Sequence, residues 1–163
     1  MNKLKDFLID FHYSLEENGY ETCVMTQSEL KHKIINNGYE ICFPMISNEQ
    51  SCDCVNIVDI DESLFLNQSD YNSQWVCIYK DDEILSCICI QNSNDDENID
   101  IAVFEINVNF RQQGYAKSLF NIFENCAYEY YNKICLTPFD SDASSFWVHM
   151  GFNDEGYLLV KEL

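Results

Sequence analysis

The ten residues Ile99–Val108 carry apolar side chains on both faces of an extended chain, with Ile99, Ile101 and Val103 alternating against Ala102, Phe104 and Ile106. A strand of that kind must be covered on two sides, so it belongs in the middle of a sheet rather than at a solvated edge. Shortly after it, Gly114 opens a segment in which Leu119, Phe123, Cys126 and Tyr130 share one stripe, predicting an amphipathic helix to about Asn132. A buried strand feeding directly into a helix points to a layered α/β domain.

The flanking sequence agrees. Trp75–Lys80, an Asp81-Asp82-Glu83 turn and Ile84–Gln91 read as a β-hairpin, and an acidic loop, Asn92–Asn98, joins it to the central strand. Downstream, a short strand, Lys133–Thr137, stops at Pro138, a helix spans about Ser141–Met150 with Gly151 as its cap, and Tyr157–Leu163 is β-rich. Upstream, Leu4, Phe7, Leu8, Phe11 and Leu15 predict a helix over residues 3–17 that Gly19 ends. Thr26 and Glu29 form a capping-box pattern for a second helix closing at Gly38, and strand-like runs follow at Tyr39–Met45 and Val55–Ile60. With no repeat and no Pro/Gly/Ser-rich linker, 163 residues of this pattern make one α/β domain with a mixed sheet.

Charge narrows the partners. Nine basic against 28 acidic residues give a net charge of −19, while 47% hydrophobic and 14% aromatic content excludes a disordered acidic tail. Such a chain neither wraps nucleic acid nor lies on an anionic membrane, since both need a basic face. It suits a cationic partner, or carries its charge for solubility alone. Asp10 and His12 interrupt any secretory apolar region after Lys3 and Lys5, and no stretch has the length of a membrane span, so the expected setting is cytoplasmic. Nine cysteines are an odd number, and Cys52-Asp-Cys54 and Cys87-Ile-Cys89 lack the spacing of zinc knuckles. Cys87, Cys89, Cys126 and Cys135 lie among apolar neighbours and read as buried free thiols of a reduced compartment, with no metal. His12 and His32 read as structural.

The segment Asn109-Phe110-Arg111-Gln112-Gln113-Gly114-Tyr115-Ala116-Lys117-Ser118-Leu119 joins the strongest strand to the strongest helix. A turn there, freed by Gly114 and kept small at Ala116, leaves backbone N–H groups unpaired at a helix N-terminus, where the dipole favours an anion. Arg111 and Lys117 add clustered positive charge, and the segment reads as a phosphate cradle. The plainer reading is an ordinary strand-to-helix turn with a glycine for positive φ.

Arg111-Gln112-Gln113-Gly114-Tyr115-Ala116 resembles the pyrophosphate motif of the GNAT superfamily of N-acetyltransferases. Ala143, Phe146, Trp147, Met150, Gly151 and Phe152 resemble that superfamily's later helix–Gly-Phe–strand motif, in the right order and at the right distance. The resemblance covers about residues 75–157, with residues 1–60 divergent. It implies a GNAT-like, mostly antiparallel mixed sheet with splayed central strands flanked by helices, and acetyl-CoA as cosubstrate in the splay. It further implies backbone pairing of Ile106 and Val108 with the pantetheine arm, a pyrophosphate held by Gln112, Gln113, Gly114, Ala116 and Lys117 beside Arg111 and Tyr115, and Phe146 along the pantetheine. Asp140 falls where many members carry an Asn near the cofactor.

The implied reaction is attack of a neutral primary amine on the thioester carbonyl, which needs a proton acceptor. Two carboxylates compete. Asp100 sits where the histone-acetylating branch carries its catalytic Glu, and Glu105 stands nearer the splay on an otherwise apolar strand; Asp100 is the first choice. Asp100 also reads as the end of a solvated loop, and Glu105 as a paired structural carboxylate. Many members place a Tyr four residues after the position of Ala143 to protonate the leaving thiolate, and this chain has Trp147, so that role passes to Tyr115, His149 or water. The acceptor, a small molecule or a protein amine, is expected to be cationic, and monomer and homodimer both stay open. The competing readings are a catalytically degenerate GNAT-like module that binds CoA or a protein, and an acidic decoy for a basic surface.

Overall fold

The Asp81-Asp82 step sets the register of the central hairpin. Both residues adopt left-handed conformations, φ 52° and 66°, which is the backbone of a two-residue turn whose twist matches its strands. Lys80 therefore pairs directly with Glu83. The computed structural model describes residues 3–25, Leu30 and residues 73–163. In chain order the elements are α1 (Lys3–Glu17), β1 (Glu21–Met25), β2 (Ser73–Lys80), β3 (Glu83–Asn92), β4 (Asn98–Ile106), α2 (Tyr115–Ala127), β5 (Lys133–Leu136), α3 (Ser141–His149), β6 (Asn153–Asp154) and β7 (Leu159–Glu162). The expected second helix and the strands at 39–45 and 55–60 lie outside the described residues, as do Cys52, Cys54 and His32.

Among the described residues, one seven-stranded sheet runs in the order β1-β2-β3-β4-β5-β7-β6. Every pairing is antiparallel except β4 with β5. That parallel pairing is short, from Asn98↔Lys133 to Ile101↔Leu136. β4 then continues to Ile106, while the chain after β5 meets Pro138, which has no N–H to offer a ladder. The two central strands part at that point, so the expected mixed sheet with splayed central strands is present.

A bulge decides which side chains face which core. Cys89 stands opposite Val103 and Ile90 opposite Ile101, so Ala102 is an extra residue in β4. Simple alternation puts Ile101 and Phe104 on opposite faces; the bulge puts both against the larger core. That core joins the sheet to α1 and α2 through Phe7, Phe11, Phe120 and Phe123, with Phe7 and Phe11 each edge-on to Phe123 at 5.2 and 5.3 Å. The other face holds Leu30, Trp75, Cys77, Ile84, Cys87 and Cys89. The thiols of Cys77, Cys87 and Cys89 are wholly buried, and all six described cysteines are free.

Two boundaries differ from the pattern in the sequence, and two strands go beyond it. α2 stops at Ala127 instead of near Asn132, because Tyr130 and Tyr131 both close turns on the Ala127 carbonyl and Asn132 N–H must reach Glu97 O, 2.8 Å away, to start β5 beside β4. β4 ends at Ile106, since the side chain of Asn107 caps a 3-10 turn over Val108–Phe110. The strands β1 and β6 go beyond the expected set: β1 extends the sheet past β2, and the two-residue β6 pairs only with β7. Among the described residues, no helix is long and apolar enough to cross a membrane.

Candidate active site

The parting of β4 and β5 opens a cleft of about 550 Å³. One wall is the free end of β4, with Phe104, Glu105 and Ile106; the floor is the start of α2, with Arg111, Gln112 and Gly114 to Lys117; the far wall is Phe139, Asp140, Asp142 and the α3 residues Ala143, Phe146 and Trp147. A smaller recess of about 40 Å³ at the fork shares Phe104, Phe139, Ala143 and Trp147 with it and is otherwise lined by Ile101, Ala102, Leu136, Thr137 and Pro138.

The turn between β4 and α2 is built on Asn107, which is 1% exposed. Its backbone N–H donates to Leu85 O at 2.9 Å, its Nδ2 to Ile84 O at 2.7 Å, and its Oδ1 accepts from Asn109 N at 3.0 Å. Gln112 (φ 60°) and Gly114 (φ 85°) are both left-handed, which turns the chain sharply into the helix. A Cβ at Gly114 would meet nothing within 4 Å. The first amide to close a helical turn is Ser118 N, on Gly114 O at 3.1 Å, so the N–H groups ahead of it in α2 have no acceptor within the helix. An anion in the cleft meets these donors and the positive end of the dipole.

Arg111 and Lys117 behave differently. The Arg111 guanidinium turns back to β4, donating from Nε to Ile106 O at 2.9 Å and pairing through Nη2 with Glu105 Oε1. Lys117 is exposed on the cleft. On the far wall, Asp140 caps α3 by accepting from Ala143 N at 2.8 Å. Trp147 is part of the core, edge-on to Phe104 at 5.3 Å, to Phe120 at 5.1 Å and to Phe152 at 5.3 Å, with Phe146 4.9 Å away. Its indole is a wall of the cleft.

Of the residues singled out from the sequence, Glu105, Ile106, Arg111, Gln112, Gly114, Tyr115, Ala116, Lys117 and Phe146 come together around the cleft. Gln113 adjoins it, its Nε2 donating back to Asn109 O at 3.2 Å. Val108 lies past the strand end, in the 3-10 turn, where its carbonyl accepts from Arg111 N. Asp100 stands in the paired part of β4, between Gln91 and Cys135, and does not line the cleft. Burial raises the pKa of its carboxyl, and a hydrogen bond with Ser93 partly offsets that. His149 is exposed on α3 with Nδ1 2.9 Å from Ser145 O and lies outside the cleft. Sequence reasoning missed Asn107, whose position directly after a strand is that of a capping residue, and the aromatic walls Phe104, Phe110 and Phe139. Among the described residues, no three His, Cys, Asp or Glu side chains are placed to hold a metal ion.

No family model and no curated protein matches the sequence. Solved structures do. A candidate acetyltransferase of the GNAT family from Desulfovibrio desulfuricans superposes with a TM-score of 0.61 over 88% of this chain and 99% of its own, at 11% identity. An acetyltransferase from Thermus thermophilus gives 0.59 over 88% and 97%, at 12% identity. The fold is the GNAT fold. A candidate streptothricin acetyltransferase from Bacillus anthracis, solved with acetyl coenzyme A, gives 0.51 over 56% of this chain and 64% of its own, at 15% identity. At these identities the likeness is one of architecture.

Proposed function

We propose that this chain is an N-acetyltransferase that takes the acetyl group of acetyl-CoA and passes it directly to a primary amine. One observation carries the reading: the fork between β4 and β5 and the open N-terminus of α2 line the same cleft. The amides of Gln112, Gln113, Gly114, Ala116 and Lys117 would hold the pyrophosphate, and the open space at Gly114 leaves room for it. The backbone of Ile106, at the unpaired end of β4, would pair with the pantetheine arm as an added strand does, with Phe146 alongside. The small recess at the fork, lined by Ile101, Ala102, Phe104, Leu136 and Trp147, is an apolar place for the acetyl methyl.

Bound acetyl-CoA supplies an activated thioester. The protein supplies an apolar cleft, backbone N–H donors for the developing oxyanion, and a base for the incoming ammonium. Glu105 lines the cleft but is committed to Arg111. Asp100 stands outside the cleft, so the base role proposed for it, carried over from the sequence resemblance, requires a water relay from the fork; burial raises its pKa, which suits proton uptake. The acceptor is cationic, drawn by a net charge of −19 and by Asp140 and Asp142 on the far wall. The free thiols suit a reducing, cytoplasmic setting.

Calorimetric titration with acetyl-CoA, with CoA and ADP as controls, tests the cradle without thiol dyes that nine cysteines would confuse. Micromolar binding that Gly114→Glu abolishes supports the reading, and chromatographic detection of CoA released with a panel of cationic amines completes it. A folded protein that binds none of the three ligands overturns it. Trp147, standing where the resemblance places an acid, favours a second reading, a CoA-binding module without turnover, which binding with no CoA release from any amine would support.

A further inference from the structure

Arg111 lines the cleft, yet its guanidinium is directed back at the strand it follows. Nε donates to Ile106 O at 2.9 Å and Nη2 pairs with Glu105 Oε1. The Glu105 side chain is only 6% exposed, against 43% for Arg111, and its partner across the sheet is Cys87, which is wholly buried. Drawing Arg111 away to meet a phosphate gives up its ion pair with a carboxylate held largely out of water, a costly exchange. As a pair the two groups also carry no net charge, so they offer little to an anion. Asn107 ties the same turn to β3 through Ile84 and Leu85. The turn is thus fastened at both ends, and the fastening sets where the first amides of α2 stand. Lys117, exposed on the same cleft, has no acidic partner among the described residues.

We propose that Arg111 is a positioning residue, holding residues 107–114 against the end of β4 through Glu105 and Ile106, and that Lys117 is the cationic side chain that meets the cofactor phosphates. The second half rests on the acyl-transfer reading of the cleft; the first stands on the pair itself.

The test compares wild type, Arg111→Gln, Lys117→Gln and the double variant Glu105→Gln/Arg111→Gln, by calorimetry with acetyl-CoA at low and high salt and by hydrogen exchange over residues 107–114. Lys117→Gln is expected to weaken binding about tenfold at low salt, the usual range for one charge-assisted contact, with the loss shrinking to about twofold at high salt. Its exchange pattern should match wild type. Arg111→Gln is expected to speed exchange in the turn and to weaken binding by a factor that salt does not change. The double variant, with two amides able to bond each other, should return both to within about threefold of wild type. A salt-dependent loss in Arg111→Gln that the double variant fails to recover makes Arg111 a direct phosphate contact and overturns the proposal. If wild type binds no CoA ligand, the transferase reading and the Lys117 assignment fall together. Exchange then still decides the fastening by Arg111, which falls if turn protection is the same in Arg111→Gln and wild type.

Discussion

Replacing Gly114 by Ala separates the two reasons a glycine can stand between β4 and α2. The residue sits at φ 85°, ψ 0°, a left-handed conformation that costs an L-residue about 1–2 kcal/mol. A less flexible unfolded chain returns about 0.4–1 kcal/mol of that. No clash adds to the cost, because a Cβ there meets nothing within 4 Å. The net destabilisation is then about 1 kcal/mol, which for a chain of 163 residues lowers Tm by about 2–4 °C.

Binding responds on a different scale. The space a Cβ enters is the space a diphosphate needs if the amides of the turn are to donate to it. Losing one or two hydrogen bonds to a charged group, at about 1.5–3 kcal/mol each, weakens acetyl-CoA by at least about 10-fold and by more than about 100-fold if both go. Scanning calorimetry and isothermal titration in one buffer check both halves. If Tm falls by a few degrees while affinity stays within about threefold of wild type, Gly114 serves the turn alone and the cradle reasoning is refuted. A fall in Tm beyond about 10 °C refutes the backbone accounting instead.

Three further outcomes are expected. Asp100 is raised by burial, so its contribution is fully present below the unfolded value near 3.8 and is lost as pH rises through the raised one. Urea unfolding should therefore find Asp100→Asn more stable than wild type at pH 7, with the gap closing toward about pH 3; a gap that widens in acid contradicts the shift. Exchanging Asp81-Asp82 for Asn-Gly suits the left-handed turn and removes two adjacent negative charges, and should raise stability by about 1 kcal/mol in the same assay. Among the described cysteines, Cys23 is half-buried while Cys77, Cys87 and Cys89 are enclosed, with the Cys89 thiol pushed up to about 12 by burial. Iodoacetamide followed by peptide mass mapping should modify Cys23 first and leave those three intact until the protein unfolds.

What is legible in the sequence is whatever local patterning specifies. The α1 stripe from Leu4 to Leu15 and the hairpin about Asp81-Asp82 depend on residues close in the chain, and both appear with boundaries within two residues of those expected. The turn at Gly114 is legible because only a few residue types tolerate its φ. The bulge at Ala102 is not, since it is a property of the β3–β4 pairing and Ala is ordinary in either conformation. The early end of α2 is likewise tertiary: Tyr128–Asn132 continues the helical pattern, but Tyr131 is drawn against Phe7 (ring centroids 5.7 Å apart) and Asn132 against Glu97. Within the candidate site, the backbone cradle can be read from glycine spacing. The partner of Arg111 cannot, because nothing in the order of residues says that Glu105, one strand end away, is buried and within reach of its guanidinium.

The net charge of −19 sets the two ligands of the proposed reaction against each other. A multiply phosphorylated donor must approach a protein of its own sign, and the Glu105–Arg111 pair, being neutral, does little to relieve that. What holds the donor is short-ranged: backbone N–H groups at hydrogen-bond distance and one lysine. Salt screens the long-range repulsion over about 8 Å at physiological ionic strength and weakens the exposed Lys117 contact as well, but acts far less on the backbone N–H contacts at the helix end. With the lysine removed by Lys117→Gln, the apparent affinity for acetyl-CoA should accordingly hold steady or improve as salt rises from about 10 to 150 mM. A cationic acceptor, drawn by the same field, should lose affinity over that range. Opposite signs for the two KM values in one salt series are the signature of a local cradle on an acidic body. Parallel weakening of both would mean that charge, rather than the amides of α2, supplies the binding of the donor, and the assignment of the turn as the phosphate site would fail.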